Sequence, residues 1–314
     1  MMNKSVQSAD HSRKTKAWYY GHPSTGSRIF DICNVVFMVL LMVITVYPFL
    51  YVLFASLSEP LKLYSHQGIL LAPLGFTTRG YTFVLNYRAV WNGYLVTLFL
   101  ATVGTSLTLV SSLVFAYVLS KQDSMLHGFF TFMAVFTMYF NGGMIPTYLI
   151  VKELGLLDSL WSLILPGLIS TYYVIILRTA IMSVPKEMVE SAELDGANEI
   201  IILIRILIPL IVPTIAAIGL FIVVGYWNSW TNALLYIQDG EKQPLQMVLR
   251  QIVVNNDMSA AAGTGASNRS GEDSATRLLL KYATIIVSVV PVICVYPFLQ
   301  KYFTKGVMIG AIKG

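Results

Sequence analysis

The fold is decided by residues 32–58, ICNVVFMVLLMVITVYPFLYVLFASLS, a stretch that contains no Asp, Glu, Lys or Arg. An α-helix needs about 20 apolar residues to cross the hydrocarbon core of a bilayer, and this stretch is long enough. The whole chain of 314 residues has the same character: 56% of it is hydrophobic, 12% is charged, and its mean hydropathy is +0.67. Soluble domains carry about 25% charged residues. The sequence therefore predicts an integral membrane protein.

Five further runs without charged residues follow the first one. They cover residues 89–120, 124–151, 159–177, 206–238 and 282–300. Each run is continuously apolar rather than alternating, which favours a helix, since only helices and closed barrels pair all of their backbone groups within lipid. The predicted fold class is an all-α polytopic membrane protein with six transmembrane helices. These helices occupy residues 29–303, between an N-terminal tail (1–28) and a C-terminal tail (304–314).

The basic residues predict the orientation of the chain. In the N-terminal tail a single acid, Asp10, accompanies the bases Lys4, Arg13, Lys14, Lys16 and Arg28. The positive-inside rule places such a segment in the cytoplasm, and six crossings return the C-terminal tail to the same side. The long loops at 59–88 and 239–281 are then external. On this interpretation the net charge of +5 reflects membrane topology and not a nucleic-acid partner.

The familiar signatures of catalysis are missing from the sequence. No phosphate-binding loop, H-E-x-x-H zinc motif or G-x-S-x-G nucleophile motif occurs, and the four histidines are scattered. We therefore expect no catalytic residue, no metal site and no cofactor bound by this chain. No predicted span has a charged residue at its middle, which disfavours an ion-coupled sugar carrier. A membrane scaffold and, more remotely, a membrane enzyme are the competing functions.

One predicted cytoplasmic loop is acidic, between the fourth and fifth spans. It carries Glu187, Glu190, Glu193, Asp195 and Glu199. Pro185 suits a first helical position, Gly196 suits a left-handed turn, and Asp195 is a candidate cap for a following helix. The pattern predicts two short helices joined by a sharp turn. The spacing alone leaves open whether they form a solvated connector or a docking element for a basic partner.

This loop resembles the EAA signature of permease subunits of bacterial ATP-binding cassette (ABC) importers. The matching residues are Glu190, Ser191, Ala192, Asp195, Gly196, Ala197 and Pro209, with Ser191 where the family usually has alanine. Residues 141–148, 155–157, 227–228 and 306–314 are similar to carbohydrate importer permeases, in particular the multiple-sugar and aldouronate branch. The resemblance implies that residues 185–209, here named the coupling segment, dock into an ATPase subunit. It also implies that Gly310, Lys313 and Gly314 in the C-terminal tail reach that ATPase, and a frayed terminus is the alternative for this tail.

The resemblance further implies the assembly in which the chain works. A second homologous permease would complete the membrane path, two cytosolic ATPase subunits would bind ATP and Mg²⁺, and an external solute-binding protein would deliver an oligosaccharide. The expected location is the bacterial cytoplasmic membrane, with several crossings and both termini in the cytoplasm.

Polar and aromatic residues within the spans are candidates for the substrate path. They are Tyr172, Tyr173, Trp227, Asn228, Trp230 and Asn232. Packing is the alternative role for the aromatic residues, and inter-helix hydrogen bonding is the alternative for the asparagines. Residues 255–277, rich in Ser, Gly, Ala and Asn, are expected to form a loop outside the core. Through Asn255, Asn256 and Asn268 this loop either faces the binding protein or serves as an inert connector.

Overall fold

The computed structural model describes residues 25–122, 125–261 and 271–311, and within these ranges the chain is helical. Pairing of extended segments within them is confined to one isolated antiparallel bridge, between Ser58 and Phe76. This confirms the predicted all-α class. The predicted N-terminal tail up to residue 24 lies outside the described residues.

The described residues up to Glu153 form seven α-helices. They are α1 (Thr25–Ser56), α2 (Pro60–Ser65), α3 (Arg79–Asn86), α4 (Arg88–Phe99), α5 (Thr105–Ser120), α6 (His127–Tyr139) and α7 (Met144–Glu153). A π-helical turn, Leu100–Gly104, joins α4 to α5 without a break. Helices α4 and α5 therefore form one long apolar span, Arg88–Ser120, in agreement with the charge-free run at 89–120.

The described part of the chain after Glu153 contains seven more α-helices and several short turns. They are α8 (Thr171–Met182), α9 (Lys186–Leu194), α10 (Glu199–Ile201), α11 (Ile208–Trp227), α12 (Thr231–Tyr236), α13 (Leu245–Ala261) and α14 (Gly271–Ala311). The 3-10 turns Leu160–Leu163 and Leu165–Gly167 precede α8, a π-helical turn, Ile202–Leu207, joins α10 to α11, and a further 3-10 turn, Gly240–Lys242, precedes α13.

Four helices of the described residues are long and apolar enough to cross a membrane, and the number rises to six if each of two bent pairs is one span. The first pair, α6 and α7, is bent by 112°. Its break contains Gly143 at φ +89°, a conformation that glycine adopts readily, and the Asn141 side chain accepts a hydrogen bond from the Gly143 N–H at 2.8 Å. The run at 124–151 is thus two helices and not one straight span.

The second bent pair replaces the predicted fourth span. The 3-10 segment Leu160–Gly167 meets α8 at 51°. Pro166 lies in this segment, where its missing N–H and fixed φ are incompatible with the interior of a regular helix. Hydropathy identified this apolar region correctly, but it carried no information about the bend.

The central core joins the membrane-spanning helices to the coupling segment. Its buried side chains come from α5, α6, α8, the second π turn and α11, and they include Leu119, Leu177, Ile202 and Ile218. A second cluster packs α3 and α4 against α13 and α14. By contrast, α1 buries only Ala55 and Ser56, and most of its apolar side chains are exposed, which gives the kind of surface that a bilayer covers.

The expectation of a loop outside the core at residues 255–277 is wrong for most of that range. Helix α13 continues to Ala261, and α14 already begins at Gly271. Ala275 is fully buried. The abundance of Ser, Gly, Ala and Asn did not show that this segment lies outside the core, because a small side chain such as that of Ala275 also allows close helix packing. The described helix α14 also starts well before the charge-free run at 282–300.

Candidate functional site

The coupling segment folds as two short helices around a tight turn. Helix α9 ends at Leu194, and Gly196 follows with φ +82°, which places the backbone in the left-handed region. Asn198 then caps α10, because its side-chain oxygen accepts a hydrogen bond from the Ile201 N–H at 2.9 Å. The predicted helix, turn and helix are therefore present, with the turn at the predicted glycine.

Two details of that prediction are wrong. Pro185 lies at the N-cap position, one residue before α9, and not in its first turn. Asp195 closes α9 instead of starting the next helix, and its N–H donates to the Ser191 carbonyl at 3.1 Å. Gly196 lies between Asp195 and α10, so Asp195 does not cap that helix. Asn198 stands three positions before Ile201, whose N–H needs a cap. An Asn directly before Glu199 was the sequence signal for this role.

The coupling segment has an inner and an outer face. Val189, Ala192 and Ala197 are half-buried and pack against the central core. On the outer face the predicted docking residues are exposed, as Glu190, Ser191, Asp195, Gly196 and also Pro209 are. Leu194 at the end of α9 is 90% exposed. The outer face of α9 is thus acidic and ends in an exposed apolar side chain.

The coupling segment is also tied to the end of α5. Lys121 forms an ion pair with one carboxylate oxygen of Glu199, and the Tyr117 hydroxyl donates a hydrogen bond to the other oxygen. Arg178 in α8 donates from Nε to the Leu119 carbonyl at 2.9 Å. Sequence reasoning missed these contacts, since the partners lie far apart in the chain and no local spacing indicates them.

The two tyrosines of the predicted substrate path lie at the start of α8, beside the 51° bend. Tyr172 is exposed, whereas Tyr173 is half-buried against the central core. Tyr226 near the end of α11 packs on the same core, and its hydroxyl lies 3.2 Å from the Thr108 hydroxyl in α5. Tyr173 and Tyr226 therefore pack against the same core.

The other candidates of the substrate path lie between the end of α11 and the start of α12. Trp227 packs on the cluster of α3, α4, α13 and α14, with its ring centroid 6.4 Å from that of Tyr94. Arg250 lies over the ring of Trp230, 4.5 Å from its centroid. The Asn228 amide donates to the Val224 carbonyl at 2.9 Å, and Asn232 is exposed in α12. These four residues do not share a cluster with the two tyrosines of α8.

An ionic clasp joins two loops beside this turn, with Asp158 at its centre. Asp158 has φ +57°, and its carboxylate accepts the N–H groups of Asp239 at 2.9 Å and Gln238 at 3.1 Å. The Lys242 ammonium lies 3.3 Å from the same carboxylate. The Asp239 backbone bond, followed by the Gln238 and Lys242 contacts, lowers the pKa of Asp158 below its ordinary value of 3.8. The clasp fixes the loop before α8 against the loop before α13.

The remaining predicted residues lie in α13, in α14 or outside the described residues. The backbone of Asn255 and Asn256 is helical in α13, and that of Gly310 is helical in α14. Asn268, Lys313 and Gly314 lie outside the described residues. Across residues 25–122, 125–261 and 271–311, no group of three or more His, Cys, Asp or Glu side chains is placed to hold a metal ion.

Comparison with known proteins identifies the family. Residues 112–309 match the family described as binding-protein-dependent transport system inner membrane component. The chain is 39% identical to protein LplC of Bacillus subtilis over 93% of this chain and 98% of that protein. It is also 39% identical to the polygalacturonan/rhamnogalacturonan transport system permease protein YtcP of Bacillus subtilis, over 92% of this chain and 99% of the relative.

A solved structure has the same fold. It is a crystal structure of a bacterial ABC transporter involved in the import of the acidic polysaccharide alginate. One of its chains matches with a TM-score of 0.80 and 32% identity, over 90% of this chain and 99% of that chain. These matches confirm the resemblance that the EAA-like residues first indicated. The chain belongs to the family of binding-protein-dependent transport system inner membrane components, and it is a membrane permease of the ABC-transporter type and not an enzyme.

Proposed function

We propose that this chain is one of two permease subunits in an ATP-driven importer of acidic oligosaccharides derived from polysaccharides. The single observation that carries the coupling role is the exposed outer face of α9, which presents Glu190 and the 90% exposed Leu194 beside the Gly196 turn. The substrate class is supported by relatives whose names refer to polygalacturonan, rhamnogalacturonan and alginate, which are polysaccharides rich in uronic acids.

In this proposal the chain forms part of the translocation path and transmits motion through the coupling segment. Other subunits hydrolyse ATP and bind the sugar. A second permease completes the path, and two cytosolic ATPase subunits bind ATP and Mg²⁺. A solute-binding protein presents the sugar at the external face. Closure of the ATPases displaces the coupling segment, and the permease pair shifts between inward-open and outward-open states because nucleotide stabilises one of them.

Purification of the complete transporter tests the coupling role. Glu190→Ala and Gly196→Asp are expected to reduce copurification of the ATPase subunits and hydrolysis stimulated by the binding protein. Glu187→Ala is the matched control, because Glu187 is another exposed acid on α9. Unchanged association and hydrolysis in both variants, with the permease still folded, would contradict the assignment of the coupling segment. An equal loss in the control would reduce the role of Glu190 to general negative charge.

Uptake into vesicles tests the substrate class. With the binding protein outside and ATP inside, labelled trigalacturonate is expected to accumulate, whereas labelled maltotriose, a neutral sugar of equal length, is not. Uptake of maltotriose alone would contradict the acidic class. Trigalacturonate uptake that follows a proton gradient and continues without the ATPase subunits would replace the importer with an ion-coupled carrier.

A further inference from the structure

The end of α5 is bonded to the chain on both sides of the exposed helix α9. Before α9 in the chain, Arg178 in α8 donates a hydrogen bond to the Leu119 carbonyl at 2.9 Å. After α9, Glu199 is the first residue of α10, and its carboxylate pairs with Lys121 and accepts a hydrogen bond from Tyr117. The two elements that flank α9 are therefore attached to one short stretch of α5 and its cap.

Three side chains form the attachment after α9, and we name Tyr117, Lys121 and Glu199 the α5 latch. Each oxygen of the Glu199 carboxylate has its own donor. The Lys121 ammonium also lies over the Tyr117 ring, 5.3 Å from its centroid, so all three members contact one another. Such a cluster fixes the position of α10 more firmly than a single pair, because charge-assisted hydrogen bonds are directional as well as strong.

The latch contributes little to the stability of the fold. The Lys121 and Glu199 side chains are 39% and 59% exposed, and exposed ion pairs contribute little to folding. At the other end of α5, in the middle of the span Arg88–Ser120, Gly104 closes a π-helical turn and lies close to the ring of Tyr226. Helix α5 therefore connects the base of the coupling segment to the contact between α5 and α11.

We infer that the α5 latch makes the coupling segment and α5 move together, so that displacement of α9 reaches the outer half of the permease. Tyr117, Lys121 and Glu199 are thus positioning residues for transport. They contact neither nucleotide nor sugar in this role. The inference rests on the proposed function, and it adds the route by which motion leaves the coupling segment.

The test uses the complete transporter in lipid vesicles and needs no knowledge of the sugar. The reporter is Thr231→Cys, an exposed position at the start of α12, with Cys33 and Cys294 replaced by serine. The labelling rate of this chain by a membrane-impermeant maleimide is measured with and without ATP and vanadate, together with ATP hydrolysis. In the otherwise wild-type protein, nucleotide is expected to change the rate about fivefold or more.

Lys121→Met and Glu199→Gln are expected to abolish most of that change while the ATPases remain bound and hydrolyse ATP. The reversed pair, Lys121→Glu with Glu199→Lys, is expected to restore it, which a purely structural defect would not allow. Glu59→Gln is the matched control, since it breaks another exposed ion pair, to Lys62 at 2.7 Å, far from the latch.

Several results would overturn the inference. They are an unchanged nucleotide response in both single variants, an absence of rescue in the reversed pair, and an equal loss in Glu59→Gln. Loss of ATPase binding in both single variants would assign the latch to assembly instead of motion. A wild-type transporter without any nucleotide response would overturn the proposed function itself, and this result is distinct from the others.

Discussion

The contact between Gly104 and Tyr226 gives the sharpest test of how the spans pack. An ideal Cβ built on Gly104 lies 2.7 Å from Cζ and 2.8 Å from Cε2 of the Tyr226 ring. Gly104 has φ −59°, so it is the close approach of the ring, and not the backbone conformation, that requires glycine. We therefore expect Gly104→Ala to push the ring away and to break its 3.2 Å contact with Thr108.

The magnitude follows from three contributions. Overpacking a tight site costs about 1–3 kcal/mol. A hydrogen bond between membrane helices contributes about 0.6 kcal/mol on average. Replacing a helical glycine with alanine returns roughly 0.5–1 kcal/mol. Gly225→Ala in α11 is the matched control, because a Cβ there meets no atom within 4 Å. Both variants gain the helix propensity of alanine, so this contribution cancels, and they should differ by about 1.6–3.6 kcal/mol in the free energy of unfolding, with Gly104→Ala the less stable.

The assay is unfolding by SDS of the purified transporter in lipid–detergent micelles. A double-mutant cycle with Tyr226→Ala isolates the contact, since Gly104→Ala should no longer destabilise the protein once the ring is gone. The cycle should give a coupling energy of about 1–3 kcal/mol. Equal stability of Gly104→Ala and Gly225→Ala, or a coupling energy near zero, would refute the close packing of α5 on α11.

Three further predictions concern the coupling segment and the clasp. Gly196 has φ +82° and open space around it, so backbone strain alone should decide the effect of a substitution there. Gly196→Val should lower the free energy of unfolding, measured with SDS, by about 1–2 kcal/mol, and Gly196→Asn should lower it less. Equal losses in the two variants would contradict the left-handed turn. Asn198→Ala should lower the free energy of unfolding by about 0.5–2 kcal/mol in the same assay, whereas Asn198→Asp should retain the stability of the wild type. An alanine variant as stable as the wild type would show that the Asn198 side chain does not cap α10. The pKa of Asp158 is lower in the folded protein than its ordinary value of 3.8. The Asp158 carboxylate therefore stabilises the fold fully above pH 3.8, and this stabilisation is lost as the pH falls through the folded pKa. Asp158→Asn, and likewise Lys242→Met, should thus lower the melting temperature at pH 7 and have less effect at acid pH; a difference independent of pH would contradict the clasp.

The sequence by itself determined the helical class, most of the apolar spans and the turn at Gly196. These features are local. Continuous apolar runs indicate helices because backbone groups in lipid need partners within the same segment, and a glycine between two short helices indicates a left-handed residue. The helix bounds at Arg88–Ser120 show how closely such a run follows the structure. The acidic residues around Glu190 were likewise identifiable from sequence, including their exposed position on a short helix.

Only the tertiary structure decided how distant segments meet. Gly143 and Pro166 permit a break in the helices, but the angles of 112° and 51° and the burial of Ala275, in a segment expected to lie outside the core, were visible only in the tertiary structure. Glu199 is 82 residues from Tyr117, and no spacing in the sequence relates them. The chain brings them together because α8 and α11 pack against α5 in one core, and such long-range packing carries no local signature.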